Sequence, residues 1–195
     1  MILLGRLALY GPGAARLHEE IVPITARWTD SVTRKAALQP YAPEAEQKTL
    51  DLLDRALLIG GGPNQTIRNQ LLQSAARDVQ ELLPYLNQRA EEYARDAQTK
   101  LAARADDEAK KMLEILEAQK KHIEATDRKS LQLTFDGWSE DDRRQQEADR
   151  RHWRIRLQQL EKEIETEPAR IRDVYQVRAR RIEPVGLIYL WPETN

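Results

Sequence analysis

The sequence predicts a mainly α-helical protein: a long antiparallel helical hairpin resembling a coiled coil, with a small helical N-terminal part and short terminal β-strands. Two observations predict the hairpin. Glycine is absent from residues 78–127, where apolar residues recur in alternating three- and four-residue steps. After a break between 126 and 139, a second run from about residue 140 keeps the same heptad step.

The two seams are expected to pack against each other, with small alanines in the first facing larger side chains in the second. An intermolecular coiled coil is the alternative arrangement. One chain holds both halves at high effective concentration, which favours the hairpin. The expected packing residues are Met112, Leu116, Ile123, Trp153, Leu157, Leu160 and Ile164.

Three segments follow from this pattern: an N-terminal strand with short helices at 1–76, the hairpin at 77–182, and a C-terminal strand at 183–195. The apolar start, 1–10, is predicted to be a buried strand that ends at Gly11-Pro12-Gly13. Arg6 interrupts this stretch and no basic region precedes it. An export signal is therefore the less favoured interpretation, and a cytoplasmic location is expected.

Helical spacing from Ala14 to Ile21 predicts a short helix that Pro23 interrupts. A second helix is expected from about Pro43 to the glycines at 60–62, and a short amphipathic helix follows them. Pro84 is expected to mark a boundary or a kink at the start of the long helix.

The second long helix is predicted to begin at Ser139, which with Asp142 resembles a capping box. Pro168 is expected to kink or restart it. The apolar, aromatic run 183–192 is bounded by prolines and predicts a short strand buried on both faces. Because a lone strand cannot satisfy its backbone, it must join a sheet, either with Leu3–Tyr10 or with something outside the chain.

Composition excludes several classes of protein. With 31 Lys+Arg against 32 Asp+Glu, the net charge of -1 argues against a protein that coats nucleic acid through global positive charge. The absence of cysteine excludes thiol nucleophiles and Cys-ligated metals. No uninterrupted apolar stretch approaches the roughly 18 residues of a membrane span, so no membrane role is expected.

No pattern of catalytic residues stands out. The three histidines lie in separate predicted helices, and His18-Glu19-Glu20 is typical of an ordinary surface. Gly60-Gly61-Gly62-Pro63 lacks the Lys-Ser/Thr that completes a phosphate-binding loop. The sequence therefore predicts no catalytic residue, metal or cofactor in this chain.

Charge is unevenly distributed along the chain. Residues 78–127 hold 12 acidic against 8 basic residues, whereas 169–182 holds five arginines against one aspartate. Those arginines suit either phosphate contact or an exposed helix end. The candidate nucleic-acid contacts are Arg170, Arg172, Arg178, Arg180 and Arg181. A second group is diluted by acids and is typical of a solvated face: Arg143, Arg144, Arg150, Arg151, Arg154 and Arg156.

Four stretches carry a resemblance to a known family, and the resemblance extends over nearly the whole chain. They are Arg6–Val22 (RLALYGPGAARLHEEIV), Asp149–Trp153 (DRRHW) leading to Glu165–Ile171 (ETEPARI), and Val177–Pro192 (VRARRIEPVGLIYLWP). These stretches resemble the region C-terminal to the motor in the Swi/Snf-type helicase (the DrmD component) of the DISARM anti-phage defence system.

The resemblance implies an accessory region of an ATP-dependent DNA translocase that acts with a methyltransferase and other defence subunits. ATP and Mg²⁺ would belong to the motor, whose phosphate loop, acidic Mg²⁺-binding motif and arginine fingers have no counterpart in this sequence. The implied partners are the helicase motor domain, other defence-system subunits and DNA. The alternative is a free-standing coiled-coil scaffold or oligomerisation protein, a homo-oligomer with no nucleic-acid role.

Overall fold

A computed structural model describes residues 1–29, 36–132 and 139–191. The elements in chain order are β1 (Ile2–Tyr10), one 3-10 turn (Pro12–Ala14), β2 (Arg16–Arg27), β3 (Gln39–Pro40), α1 (Pro43–Ile59), α2 (Gln65–Gln132), α3 (Glu140–Val174) and β4 (Ala179–Ile188). The protein is mostly helical, with one small antiparallel sheet. The predicted break between 126 and 139 does not begin at 126, because α2 continues to Gln132. The rest of it, 133–138, lies outside the described residues.

The sheet has the strand order β3-β2-β1-β4. The first predicted strand is confirmed, and it lies between β2 and β4, pairing antiparallel with both. Because a central strand covered by helix has little contact with water, it is apolar through most of its length. Ile2, Leu3 and Leu9 are each 0% exposed.

The helix predicted at 14–21 is wrong, since this segment begins β2. From Ile21 onward the chain is rich in β-branched residues, and Val22, Ile24 and Ala26 alternate as buried positions. Pairing with β1 along its whole length outweighs the weak local helical spacing. Pro23 is tolerated because, among the described residues, β3 pairs only with Ala26 and Arg27, leaving an open edge at the proline.

The C-terminal strand joins the sheet through β1, the first of the two predicted arrangements. It begins at Ala179, four residues before the predicted start, and it is not buried on both faces. β4 lies at the edge of the sheet, and Val185 is 51% exposed. An edge strand has a neighbour on one side only, which explains its greater exposure.

The helix α1 ends as predicted at the glycines, with the Gly60 amide donating to the Ala56 carbonyl at 3.0 Å. The short helix expected next is instead the first part of α2, which continues without interruption through Pro84. A helical proline costs about 3 kcal/mol. Leu82 and Leu86 on either side of it are fully buried, and each such burial contributes about 1.5–3 kcal/mol.

The capping box that begins α3 is confirmed. The Asp142 amide donates to the Ser139 hydroxyl at 3.2 Å, and the Ser139 amide donates to the Asp142 carboxylate at 3.0 Å. The Ser139 hydroxyl also donates to the Asp142 carboxylate at 2.6 Å. That bond, followed by the one from the Ser139 amide, lowers the pKa of Asp142. At the other end, α3 continues through Pro168 to Val174, so the predicted restart does not occur.

The chain divides into two compact units, 1–98 with 177–195 and 99–176. The first contains the sheet, α1 and the beginning of α2, and the second contains the rest of α2 with α3. Both chain ends therefore belong to the first unit, whereas the sequence suggests three consecutive segments. In the described part of the chain, no helix has an apolar stretch long enough to cross a membrane.

Candidate interaction surfaces

Two of the candidate DNA-contacting arginines lie on α3 in the second unit. The Arg170 guanidinium is 2.7 Å from the Glu167 carboxylate one turn earlier, and that of Arg172 is 2.7 Å from the Asp106 carboxylate on α2. Both are exposed, so each ion pair contributes about 0–1 kcal/mol. A phosphate would have to displace these carboxylates.

The other three candidates lie in the first unit. Arg178 belongs to the connection between α3 and β4, and Arg180 and Arg181 lie on β4. Arg180 pairs with the Glu91 carboxylate on α2 at 2.8 Å, and Arg181 pairs with Glu183. The predicted helix end is thus the end of a helix, a connection and a strand. Arg170, Arg172, Arg180 and Arg181 each face a carboxylate.

Glu183 also accepts a hydrogen bond at 2.7 Å from Arg6, its partner across β1 and β4. That bond, with the charges of Arg181 and Arg6, lowers the pKa of Glu183. The carboxylate therefore stays ionised between two guanidinium groups on the sheet surface.

In the second unit, side chains of α2 and α3 meet in opposite sequence order. The pairs are Asp106 with Arg172, Glu108 with Tyr175, Lys120 with Glu161, and Asp127 with Arg150. Of the predicted packing residues, Leu116 and Leu160 are buried. Met112, Ile123, Trp153, Leu157 and Ile164 are half-buried.

Glu108 joins the two helices near the end of α3. It accepts a hydrogen bond from Arg104 at 2.8 Å and one from the Tyr175 hydroxyl at 2.7 Å. The Arg104 guanidinium also lies 5.5 Å from the centre of the Tyr175 ring. These bonds, chiefly that from Arg104, lower the pKa of Glu108. The bond to Glu108 raises the pKa of Tyr175.

The C-terminal end of α1 carries an unusual apolar surface. Leu57, Leu58 and Ile59 are 74%, 88% and 79% exposed. The beginning of α1 is fixed by Glu46, which accepts hydrogen bonds from Arg89 at 2.7 Å and from the Thr25 hydroxyl at 3.2 Å. The helix is therefore anchored at one end and presents apolar side chains to solvent at the other.

An open groove of about 930 Å³ lies beside this surface in the first unit. Apolar side chains from α1, α2 and the segment after β4 line it, together with the glycine loop between the helices. Among them are Leu52, Ile59, Pro63, Ile67, Leu190 and Trp191. Gly60 and Gly61 have φ of 71° and 102°, a conformation that other residues rarely adopt.

A buried carboxylate holds the C-terminal end of β4 against α2. Asp78 is 0% exposed and accepts a hydrogen bond at 2.7 Å from the Tyr189 hydroxyl. Within the described ranges its other carboxylate oxygen accepts no hydrogen bond, although the Arg77 guanidinium lies 3.8 Å from it. The Tyr189 ring stacks on Trp28 with centroids 5.6 Å apart.

The described residues contain no group of three acidic or histidine side chains able to hold a metal ion. His18 and Glu20 do approach each other, at 3.1 Å, because residues two apart lie on the same side of a strand.

Sequence reasoning missed two features. Three consecutive apolar residues, Leu57 to Ile59, exceed what one helix face can bury, and this signal could have indicated the exposed end of α1. The burial of Asp78 had no such signal, because it depends on the return of β4 from more than a hundred positions away.

Comparison of the chain with models of known families, with curated proteins and with solved structures finds no match.

Proposed function

We propose that this chain is an accessory helical region of an ATP-dependent DNA helicase or translocase of bacterial anti-phage defence. It would lack its own motor, dock onto the helicase motor or another defence subunit, and contact DNA. The resemblance of Arg6–Val22 and Val177–Pro192 to such a helicase supports this proposal. Those two stretches supply parts of β1 and β2 and all of β4, so they belong to one sheet, whereas the other two stretches of the resemblance lie in α3.

The exposed apolar end of α1 is the observation that carries the docking role. Exposing Leu57, Leu58 and Ile59 together is unfavourable in water, because burying each side chain is worth about 1.5–3 kcal/mol. Such patches mark interaction sites on soluble proteins. The adjoining groove extends the surface with further apolar side chains.

The paired parts of α2 and α3 would serve as a stiff, coiled-coil-like antiparallel arm. Buried Leu116 and Leu160 and the ion pairs in opposite sequence order support this assignment. An arm of this kind can hold a partner or guide DNA.

Sedimentation velocity with a separately produced helicase motor from the same genome tests the docking role. The wild-type chain should co-sediment with the motor, whereas a Leu57→Ser, Leu58→Ser, Ile59→Ser variant should lose the complex. The control is Ile115→Ser with Ile155→Ser, which removes two side chains that are 53% and 51% exposed in the second unit. This control should bind as the wild type does.

Two outcomes would overturn the proposal. One is a motor that fails to bind the wild-type chain under any condition. The other is a chain that forms a stable, monodisperse oligomer by itself, with no affinity for motor or DNA. The second outcome would establish the free-standing scaffold instead.

A further inference from the structure

One face of α1 is open to the groove of the first unit. This helix lies wholly within the described residues and has 17 of them, yet none is buried. An amphipathic helix in a folded protein gains most of its stability by packing its apolar face. The open face of α1 is therefore the part of the first unit that gains most from an occupant of the groove.

The groove-lining residues of α1 have the spacing of a coiled-coil seam. Thr49, Leu52, Ala56 and Ile59 follow one another in steps of three, four and three residues. These are the steps between positions a and d of a heptad, and we call this row the α1 seam. From its first to its last residue the helix rises about 15 Å, or nearly three turns. The Thr49 hydroxyl donates to the Ala45 carbonyl at 2.7 Å, so this position needs no polar partner.

Two cations flank the α1 seam on one side. Lys48 and Arg55 directly precede Thr49 and Ala56 and are one heptad apart. Both are exposed, and neither forms an ion pair with a residue in the described ranges. At about 100° per residue they lie about 60° and 80° from the centre of the seam. They are therefore the charged residues of α1 closest to a helix in the groove.

The carboxylates of α1 lie farther from the seam. By the same spacing, all four are about 100° to 180° from its centre: Glu44, Glu46, Asp51 and Asp54. Glu46 is already bound to Arg89 at 2.7 Å. In the described part of the chain no carboxylate lines the groove, whereas Arg55 does. Residues 55–77, which include the α2 wall of the groove, hold three arginines and no acid.

We propose that the groove binds one amphipathic helix of a partner protein, apolar along the α1 seam and acidic along its flank. This inference rests on the proposed function, in which the partner is the helicase motor or another defence subunit. Apolar side chains of that helix fill the space between the seam, Ile67 and Trp191. Carboxylates one heptad apart pair with Lys48 and Arg55, as flanking charges do in coiled coils. The mode of recognition is a helix in a groove.

Two other occupants fit the groove less well. In an antiparallel two-fold pair with a second copy, Lys48 and Arg55 of the two α1 helices would face each other, and like charges repel. An anionic lipid surface is held by clusters of cations. Against such a surface, α1 would bring four acids and only two bases. A partner helix confined to the groove meets the two cations and lies away from the acids.

Two synthetic peptides test the assignment on the full chain. Both carry leucine at positions a and d of three heptads, and positions e and g are glutamate in one peptide and lysine in the other. Like charges oppose self-association in each peptide. Fluorescence anisotropy of the labelled peptides gives the two affinities. The glutamate peptide should bind about five- to tenfold more tightly at low salt, and added salt should reduce this preference.

Charge reversal beside the seam gives the sharpest variant. Lys48→Glu with Arg55→Glu should reverse the preference, so that the lysine peptide binds more tightly. The control, Arg151→Glu with Arg154→Glu, makes the same change of charge at exposed arginines of the second unit and should keep the wild-type preference. Leu52→Ser changes a seam residue that is 55% exposed and should weaken both peptides about fivefold. The urea midpoint of each variant confirms that it is folded.

Three results with the peptides would overturn the inference: no binding of either peptide by the wild-type chain, equal affinities for the two peptides, or a preference that charge reversal leaves unchanged. Two further results would assign the groove to another occupant and overturn it as well. One is self-association of the chain that Leu52→Ser abolishes, which indicates a second copy. The other is co-sedimentation with phosphatidylglycerol vesicles that the same variant abolishes, which indicates lipid.

The peptide measurements do not require the motor, so the two proposals can fail separately. If the glutamate peptide binds as expected and the motor does not, the proposed function fails and the chemistry of the groove stands. If the motor binds and the chain does not distinguish the two peptides, this inference fails and the docking role stands.

Discussion

Gly5 lies where β1 passes closest to α2, and enlarging it tests how the first unit is packed. A Cβ at this position would lie 2.6 Å and 2.8 Å from the two methyl carbons of Leu86, and 3.0 Å from the terminal carbon of Ile182. The first two distances are shorter than any normal contact. Leu86 is fully buried, so it has little room to move aside.

The expected cost follows from two opposing effects. Overpacking of a core costs about 1–3 kcal/mol. Replacing glycine by alanine also restricts the unfolded chain, which stabilises the folded protein by about 0.4–1 kcal/mol. Gly5→Ala should therefore lower the free energy of unfolding by about 0.5–2 kcal/mol.

Urea unfolding followed by circular dichroism measures this change, and Gly186→Ala is the matched control. A Cβ at Gly186, in the neighbouring strand, would meet nothing within 4 Å, so this substitution should leave the midpoint unchanged or raise it. Leu86→Ala by itself should cost about 2–5 kcal/mol. Combined with Gly5→Ala it should cost less than the sum, because the smaller side chain leaves room for the new methyl group.

The reasoning is refuted if Gly5→Ala is neutral or stabilising while the control behaves as expected. Strict additivity of Gly5→Ala and Leu86→Ala would also contradict it, because additivity means that the two positions do not contact each other.

Three further predictions concern single contacts. Ser139→Ala removes the cap of α3 and should cost about 0.5–2 kcal/mol in urea unfolding, and an unchanged midpoint would contradict the capping geometry. Tyr189→Phe removes the hydrogen bond to buried Asp78 and should cost about 1–3 kcal/mol, whereas a neutral result would mean that the carboxylate has another partner. Folding lowers the pKa of Asp142 and of Glu108. Both carboxylates therefore stabilise the folded protein above their unfolded pKa values of about 3.9 and 4.3, and this stabilisation is lost as the pH falls through the lower folded values. The urea midpoint should fall between about pH 5 and about pH 2, and less so in Glu108→Gln, while equal falls in both proteins would refute this assignment.

The helices were largely predictable because their signals are local. The glycines after α1 and the capping box before α3 lie within a few residues of the boundary that they define. The helix boundary at Pro84 and the restart at Pro168 were wrong for the opposite reason. Pro84 lies in a helix whose neighbouring leucines are buried by contacts with distant parts of the chain, and this burial outweighs the local cost.

The sheet shows the same contrast. β1 was predictable from its apolar run. β2 was not, because the residues near position 17 have helical spacing and form a strand only through pairing with β1. Charge pairing was also hidden from the sequence. The partner of Arg180 is Glu91, 89 positions away, so composition alone could not show that this arginine is paired.

Amide hydrogen exchange of the chain, alone and with the separately produced helicase motor, tests the central claim most directly. If α1 is the docking surface, the amides of residues 52–59 should become protected when the motor is added. A complex that forms without protecting α1, or the absence of a complex, would contradict the account.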